Sequence, residues 1–331
     1  MNIAINGFGR IGRQAFKVAV TKKNIKVVAL NDLTDTKTMA HLLKYDTSYG
    51  SFDLPLSFDE KNLIVKGKKI PVLAEKDPSK LPWGEMKVAV VLECTGRFTK
   101  KEDAALHLQA GAKKVIISAP AKGGGVPTYV RGVNCGQVGK EKEAIINNAS
   151  CTTNCIAPVM AVLDEKFGIE KAFMSTAHGY TADQNLQDGP HKDLRRARAA
   201  ACNIIPTTTG AAKAVGEVIP KLKGIFDGVA FRVPVPTVSL SDITAVLKKN
   251  ATKEEVNKAI LAAAGTSRFK GILAATSEPL VSADFIGNTH SSFVDLSLTS
   301  VVGGNMVKVV AWYDNEVGYA NRLVELAELF A

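Results

Sequence analysis

A cysteine at the start of a predicted helix is the most reactive group that the sequence offers. Ser150 is a good N-cap residue, so a helix predicted over Cys151–Lys166 places Cys151 in its first turn. The partial positive charge of the helix terminus favours a thiolate, and a histidine partner would lower the thiol pKa further and transfer protons. We therefore expect Cys151 to be a nucleophile.

Two other interpretations of Cys151 are weaker. A buried structural cysteine packs as a small apolar group, yet residues 150 and 152–154 are polar. Cys155 could share a metal with Cys151, but zinc normally has three or four protein ligands, and the sequence has no second Cys/His pair with suitable spacing. No metal is predicted. The five cysteines are an odd number in a long chain, which does not suggest a disulfide framework.

One of the five histidines lies where a partner for Cys151 would be expected. His178 ends an apolar run, 172–177, and opens a polar loop. Strand ends that lead into loops often carry catalytic groups. The other histidines have no chemical marker around them and are predicted to be surface or structural residues: His41, His107, His191 and His290.

A glycine-rich loop near the N-terminus has the spacing of a dinucleotide site. Gly7, Gly9 and Gly12 form a G-x-G-x-x-G motif between a predicted strand and a predicted helix. They permit a tight turn, a close approach of the pyrophosphate, and close packing of helix on sheet. Asp32 follows the next predicted strand, where a carboxylate accepts hydrogen bonds from a ribose and repels a 2′-phosphate. The predicted cofactor is NAD rather than NADP.

The hydrophobic pattern predicts the elements that position these groups. Apolar runs that alternate with helical stretches over residues 1–150 indicate an α/β, doubly wound parallel (Rossmann) dinucleotide-binding domain. Its predicted strands are Ile3–Asn6, Val27–Asn31, Val88–Glu93, Val115–Ser118 and Ala144–Asn147. After Ser150, longer alternating runs predict an α+β catalytic domain with a largely antiparallel sheet. Its predicted strands are Val229–Val235, Ser239–Leu247, Ser292–Leu298 and Val307–Trp312, and its helices include Ala251–Ala264 and Glu316–Phe330.

Composition limits the class of protein. The 331 residues are 46% hydrophobic and 22% charged, with no apolar run near the ~20 residues that cross a bilayer and no secretory signal. We therefore expect a cytoplasmic protein that does not contact a membrane. The net charge of +10 is spread over scattered lysines, which favours anionic small molecules over nucleic acid as partners.

Several segments beyond the cysteine and glycine motifs make the resemblance to one family specific. They are Asn6–Arg13, Ala149–Pro158, His178–Thr181, Asp193–Arg198, Pro206–Ala212, Arg232–Pro234 and Trp312–Glu316. In these segments, and in their order along essentially the whole chain, the sequence closely resembles the glyceraldehyde-3-phosphate dehydrogenase family. The resemblance implies conversion of D-glyceraldehyde 3-phosphate, inorganic phosphate and NAD to 1,3-bisphosphoglycerate and NADH through a thioester, in glycolysis or gluconeogenesis.

The resemblance also implies roles for individual residues. Cys151 would be the nucleophile and His178 the base. The residues implied to bind the substrate phosphate are Thr181, Asp183, Arg196 and Arg232. Those implied to bind the attacking phosphate are Ser150, Thr152, Thr209 and Gly210, and Arg196 would lie near both groups. The implied cofactor contacts are Asn6, Gly7, Phe8, Gly9, Arg10, Ile11, Gly12, Asp32, Thr95, Gly96, Ser118 and Asn315.

Domain limits and assembly are likewise implied by the resemblance. The C-terminal helix, 315–331, would join the NAD-binding domain 1–150, leaving 151–314 as the catalytic domain, and the chain would form a homotetramer. Gly189 stands where NAD-dependent relatives usually carry a leucine beside the adenosine, which weakens the expectation of strict NAD selectivity.

Two alternative functions remain at this point. Erythrose-4-phosphate dehydrogenase shares the cofactor loop and the cysteine segment, but typically departs at the histidine loop and the threonine run that this chain keeps. A protein of another class, an NAD-sensitive nucleic-acid or surface-binding module, would use the net charge of +10. No nucleic acid is needed for the main predicted function.

Overall fold

The computed structural model describes residues 1–138 and 143–331, and the chain divides into two compact units. The first unit comprises Met1–Tyr129, Gly136–Ala149 and Ala320–Ala331, and the second comprises Val130–Cys135 and Ser150–Tyr319. Their assignment as cofactor-binding and catalytic domains stays a prediction at this stage. Among the described residues, the structure contains no helix with the length and apolar character to span a membrane.

The first unit is built on a sheet with the order β10-β9-β8-β1-β2-β7-β6-β5. Its strands are β1 (Asn2–Asn6), β2 (Lys26–Asn31), β3 (Tyr45–Asp46), β4 (Gly50–Ser51), β5 (Leu56–Phe58), β6 (Asn62–Val65), β7 (Lys68–Leu73), β8 (Val90–Glu93), β9 (Lys114–Ile117) and β10 (Ile145–Asn147). Its helices are α1 (Arg10–Ala19), α2 (Thr36–Lys44) and α3 (Lys101–Gln109). The short strands β3 and β4 pair with each other apart from the main sheet.

The parallel pairing predicted for this unit is confirmed. The strands from β10 to β7 in the sheet order are parallel, and the core strands are largely apolar, as in β8, where three apolar residues precede Glu93 and all four residues are buried. The antiparallel extension from β7 through β6 to β5 was not predicted. Lysines interrupt its apolar pattern because this edge of the sheet is partly exposed to solvent.

The second unit contains a sheet with the order β12-β13-β11-β14-β17-β16-β15. Its strands are β11 (Ile169–Gly179), β12 (Ile205–Thr208), β13 (Phe226–Val233), β14 (Ser239–Leu247), β15 (Leu273–Thr276), β16 (Ser292–Val302) and β17 (Met306–Tyr313). The helices are α4 (Cys151–Phe167), α5 (Ala211–Val218) and α6 (Lys253–Ala264). Helix α7 (Val317–Phe330) follows β17 and belongs to the first unit from Ala320 onward. Only β11–β13 and β15–β16 pair in parallel within this sheet, so the predicted largely antiparallel character is confirmed.

Helix α4 forms the centre of the second unit. Its residues from 152 to 163 are all buried, and it packs against α5, α6 and strands of the sheet. The helix continues through Pro158, although a proline there removes one backbone donor, because burial on all sides stabilises the helical path. Gly168 ends the helix at a φ of 69°. The cysteine is thereby fixed at the N-terminal end of a rigid, buried element.

Candidate active site

Cys151 and His178 face each other inside the second unit. Cys151 is the first residue of α4, and the Ser150 hydroxyl caps the helix by accepting from the Thr153 amide at 3.0 Å. His178 is the penultimate residue of β11 and is 5% exposed. Its Nε2 lies 3.4 Å from Cys151 Sγ. The fold therefore brings together the two residues that the sequence proposed separately.

Hydrogen bonding fixes which imidazole nitrogen carries the proton. His178 Nδ1 lies 2.7 Å from the Gly179 carbonyl oxygen, which can only accept, and 3.1 Å from Arg232 Nη1, which can only donate. We assign the proton to Nδ1 because the contact with the carbonyl is the shorter one and Arg232 has other acceptors. Arg232 Nη1 approaches the same place and donates to the Gly179 carbonyl at 3.2 Å and to the Thr181 hydroxyl at 2.9 Å. The lone pair of Nε2 then points towards the Cys151 thiol, as a general base requires.

The environment holds both members of this pair in their neutral forms. Burial raises the pKa of the Cys151 thiol, and this outweighs the Arg232 charge and the contacts with Thr152, which lower it. Burial, together with the Arg232 charge, lowers the pKa of His178 to about 4. The amides of the first helical turn lower the thiol pKa, as the helix terminus predicts, but in the free chain desolvation is the larger effect and the net direction is upward.

Tyr313 is a site residue whose role the sequence analysis missed. It ends β17 and is buried, and its hydroxyl lies 2.8 Å from that of Thr152 and 3.0 Å from that of Thr176. Its ring packs edge-on against His178, with ring centroids 6.0 Å apart. Tyr313 thus links the first turn of α4 to the strand that carries the histidine. The sequence signals were its position at the end of an apolar strand and its place in the family-like segment Trp312–Glu316.

Backbone strain lies next to the cysteine. Ala149 has a φ of 54°, a left-handed conformation that is rare for residues other than glycine and costs on the order of 1 kcal/mol or more. This residue leads from the loop after β10 into Ser150 and α4. Such strain persists only where the surrounding structure holds it, and the Asn147 side chain accepts from the Ala149 amide at 2.9 Å.

The residues predicted to bind the substrate phosphate cluster around two arginines. Arg232 contacts Thr181, whose hydroxyl bonds Asp183, and Asp183 forms an ion pair with Arg196. Arg196 also donates to the Thr207 hydroxyl from Nε at 3.1 Å and from Nη2 at 2.7 Å. Two guanidinium groups, held in fixed orientations by a carboxylate and hydroxyls, can bind the oxygens of an anion.

The second predicted anion group lies where two helices begin. Thr153 in the first turn of α4 bonds the Ala211 carbonyl at 3.3 Å, which brings the start of α4 next to the start of α5. Gly210 precedes α5 and has no side chain to cap it, while the Thr209 hydroxyl accepts from the Ala211 amide at 3.2 Å. Adjacent helix N-termini attract an anion through their amides and dipoles. Thr152 is buried, and its hydroxyl bonds Tyr313 instead.

The glycine loop of the first unit is packed as the motif predicts. Gly7 has a φ of 92°, and a Cβ there would lie 2.7 Å from the Thr95 amide nitrogen. At Gly12 a Cβ would lie 2.0 Å from the Gly7 carbonyl oxygen, so the start of α1 packs directly on the loop. Nothing lies within 4 Å of the position that a Cβ would occupy at Gly9. That open cradle precedes an uncapped helix start, which suits a bound pyrophosphate.

Other predicted cofactor residues surround this loop, with one exception. The Asp32 carboxylate accepts from the Phe8 amide at 2.6 Å, and Phe8 is itself buried against Phe16. Thr95 and Gly96 follow β8, and Ser118 follows β9 and donates its amide to Glu93. Arg10 and Ile11 begin α1. Asn315 belongs to the second unit, where it accepts from the Ser239 hydroxyl at 3.1 Å.

Comparison with known proteins covers both units. Residues 1–101 match the family description "Glyceraldehyde 3-phosphate dehydrogenase, NAD binding domain", and residues 150–315 match the C-terminal domain of the same family. The chain belongs to the glyceraldehyde-3-phosphate dehydrogenase family. The match to the NAD binding domain contains the glycine loop and Asp32, and the match to the C-terminal domain contains Cys151 and His178.

Individual members of the glyceraldehyde-3-phosphate dehydrogenase family are similar over their full length. The chain is 57% identical to the enzyme of Geobacillus stearothermophilus over 331 residues, which is 100% of this chain and 98% of that protein. It is 55% identical to the enzyme of Priestia megaterium and 55% identical to glyceraldehyde-3-phosphate dehydrogenase 1 of Bacillus subtilis, with the same coverage of both chains. The chain is an oxidoreductase of this family, which uses NAD.

Proposed function

We propose that the chain oxidises D-glyceraldehyde 3-phosphate with NAD and inorganic phosphate, forming 1,3-bisphosphoglycerate and NADH in glycolysis or gluconeogenesis. The observation that carries the proposal is the 3.4 Å approach of Cys151 Sγ to His178 Nε2, in a chain that matches its family over its full length. Relatives at about 55% identity are named glyceraldehyde-3-phosphate dehydrogenase, so the alternative function, erythrose-4-phosphate dehydrogenase, is not favoured.

Cys151 and His178 would perform the covalent chemistry. Sγ forms a bond with the aldehyde carbon while its proton passes to His178 Nε2. His178 then transfers that proton to the former carbonyl oxygen, which gives a neutral hemithioacetal and a neutral imidazole. His178 then accepts the hydroxyl proton as this carbon is oxidised to a thioester. Because the pair starts neutral, the thiolate forms only as the proton moves, which couples activation of the cysteine to attack on the substrate.

The two anion groups would position the substrate and the second reactant. Arg232, Thr181 and Arg196 bind the substrate phosphate, with Asp183 holding the arginine and the threonine in place. Inorganic phosphate binds at the paired helix starts near Ser150 and Gly210. One of its oxygens attacks the thioester carbon, and Cys151 leaves as a thiolate beside the protonated His178. The acyl phosphate is then released.

The first unit has the features that NAD requires. NAD, when bound, supplies the hydride acceptor for the oxidation. The open space at Gly9 and the uncapped start of α1 fit a pyrophosphate, and the Asp32 carboxylate fits a ribose. We assign residues 1–150 and the C-terminal helix 315–331 to the NAD-binding domain, and residues 151–314 to the catalytic domain. Asn315 would contact the nicotinamide carboxamide. Gly189 is expected to relax the preference for NAD.

Assembly and location belong to the same proposal. We expect a homotetramer in the cytoplasm, in line with the family resemblance and with the absence of a membrane-spanning helix among the described residues. The scattered positive charge then serves anionic substrates rather than nucleic acid.

Initial rates of NADH formation test this proposal. Turnover is expected to require phosphate or arsenate, to prefer glyceraldehyde 3-phosphate, and to be faster with NAD than with NADP. Sustained turnover without phosphate, or equal rates with erythrose 4-phosphate, would sink the proposal. Salt-resistant, sequence-specific RNA binding by a chain without dehydrogenase activity would favour the binding-module alternative instead.

A further inference from the structure

A fully buried carboxylate lies between the cofactor loops of the first unit. Glu93 is the last residue of β8 and is 1% exposed. Its Oε2 accepts from the Asn6 amide at 2.6 Å and contacts His107 Nε2 at 3.0 Å. Its Oε1 accepts from the Thr95 amide at 2.8 Å and from the Thr95 hydroxyl. Both carboxylate oxygens are therefore fully engaged by donors.

Trp83 determines what His107 contributes to this cluster. The Trp83 indole N–H, which can only donate, lies 2.9 Å from His107 Nδ1. Nδ1 therefore carries no proton, and Nε2–H donates to Glu93. His107 is a neutral imidazole here, so it stabilises the carboxylate by a hydrogen bond rather than by a positive charge. His107, which was predicted to be a surface or structural residue, is buried with an exposure of 0%.

The cluster continues across the end of the sheet. The Asn31 side-chain Nδ2 donates to Asn6 Oδ1 at 2.7 Å and to the Glu75 backbone carbonyl at 2.9 Å. Asn31 Oδ1 accepts from the Glu75 backbone N–H at 2.9 Å. Asn6, Asn31 and Glu93 are register partners at the C-terminal ends of β1, β2 and β8. One network of hydrogen bonds therefore ties these three strand ends to the segment after β7.

The position of Glu93 in the topology gives the cluster its meaning. Strand β1 lies between β2 and β8 in the sheet. The strand order therefore reverses at β1: β2 and β7 lie on one side of it, and β8, β9 and β10 lie on the other. In open α/β sheets, ligands bind at such a switch point, beyond the carboxyl ends of the strands. The Asn6–Glu93 hydrogen bond spans that switch point. It connects the strand before the glycine loop to the strand before Thr95.

We propose that Glu93 is a positioning residue of the dinucleotide site, which holds the glycine loop and the loop of Thr95 and Gly96 at one fixed separation. This inference rests on the proposed use of NAD. The two loops are in backbone contact at Gly7 and Thr95, so a small shift of either loop changes the space left for a ligand. Because the two loops are already held in place, the protein loses less conformational entropy when NAD binds.

Glu93→Gln tests the proposal because it preserves size and replaces one acceptor oxygen by a donor. That donor would face either Asn6 and His107 or the Thr95 amide, so one loop must move. We expect the dissociation constant for NAD, measured by titration calorimetry without substrate, to rise about tenfold to hundredfold. The KM for NAD should rise in parallel, while the KM for the aldehyde stays unchanged. Glu85→Gln, a charge-matched change at an exposed residue, should leave both values as in the wild type.

If Glu93 had a purely structural role, E93Q would lower the urea midpoint of unfolding, and the KM for NAD would not rise relative to the KM for the aldehyde. An E93Q protein that is folded and binds NAD as the wild type does would overturn the proposal. If E93Q does not fold, His107→Leu decides, because it removes one donor to Glu93. We expect a rise of several-fold in the NAD dissociation constant, restored by His107→Gln, whose amide can donate; no rise in H107L also overturns the proposal. A wild type that binds NAD but forms no NADH contradicts the proposed function and leaves this inference intact.

Discussion

In the first unit, the buried Glu93 carboxylate accepts from donors on Asn6, His107 and Thr95, whereas in the second unit Cys151 and His178 meet through one 3.4 Å contact. The carboxylate cluster is saturated, so moving any member leaves a buried polar group without a partner. The cysteine–histidine pair retains a lone pair on Nε2 and a transferable proton. A group whose hydrogen-bonding capacity is fully used can position its neighbours, whereas a group that keeps a lone pair or a transferable proton can react.

Burial therefore has different consequences in the two units. Around Glu93 the cost of burying a charge is offset by several hydrogen bonds. Around Cys151 and His178 burial acts against both charged forms, raising the pKa of one group and lowering that of the other. Arg232 lies close to both and opposes burial only for the thiol. Three experiments, in order of decreasing expected effect, test this contrast between the two units.

The largest effect is expected from Cys151→Ser. Loss of the nucleophile should lower dehydrogenase turnover by at least about 10⁴-fold, because no covalent intermediate can form at a useful rate. NAD affinity, which belongs to the first unit, should change less than about twofold. Stopped-flow rates and NAD titration give the two readouts. Cys155→Ser is the matched control: Cys155 is buried one helical turn away and contacts Ser292 rather than His178, so activity should persist.

An intermediate effect concerns acid stability and His178. Its pKa is lowered from 6.5 to about 4 in the folded chain, so below pH 6.5 the unfolded chain binds a proton that the folded chain does not. The free energy of unfolding should fall as pH drops from about 6.5 towards 4, by about 2 kcal/mol at pH 5. Urea titrations at pH 7.5 and 5 should show this fall in the wild type and a smaller one in His178→Asn.

The matched control for that measurement is His41→Asn, which changes an exposed histidine and should leave the acid-dependent fall in place. A fall of equal size in the wild type and in H178N would mean that His178 is not the buried neutral group described above.

The smallest effect is expected from Gly9→Ala. The backbone at Gly9 has a φ of −72°, which alanine adopts without strain, and the added methyl group meets nothing within 4 Å. Stability should stay near that of the wild type, while NAD affinity falls about tenfold, because the methyl group occupies the phosphate cradle. Gly12→Ala contrasts with it, since its Cβ would lie 2.0 Å from the Gly7 carbonyl and must disturb the fold as well. Unchanged NAD binding in G9A would place the pyrophosphate elsewhere.

The local features of this protein could be predicted from its amino-acid sequence. Burial on both sheet faces makes β8 and its neighbours continuous apolar runs, so the parallel sheet could be predicted from the pattern. Ser150 marks the start of α4 through local capping, as predicted, and Gly168 ends the helix with a φ of 69°. The glycine loop could be recognised because its packing involves residues close together in the chain.

Tertiary structure alone decided which distant groups meet and how they are charged. The contact of Cys151 with His178 depends on how α4 packs against the sheet that contains β11, which no spacing in the sequence specifies. Tyr313 and the cluster of Glu93, His107 and Trp83 were missed because their partners lie on other elements and become neighbours only through strand register and helix packing. The net direction of the Cys151 pKa change was decided by burial for the same reason. A helix terminus is a local feature, but burial depends on the whole fold.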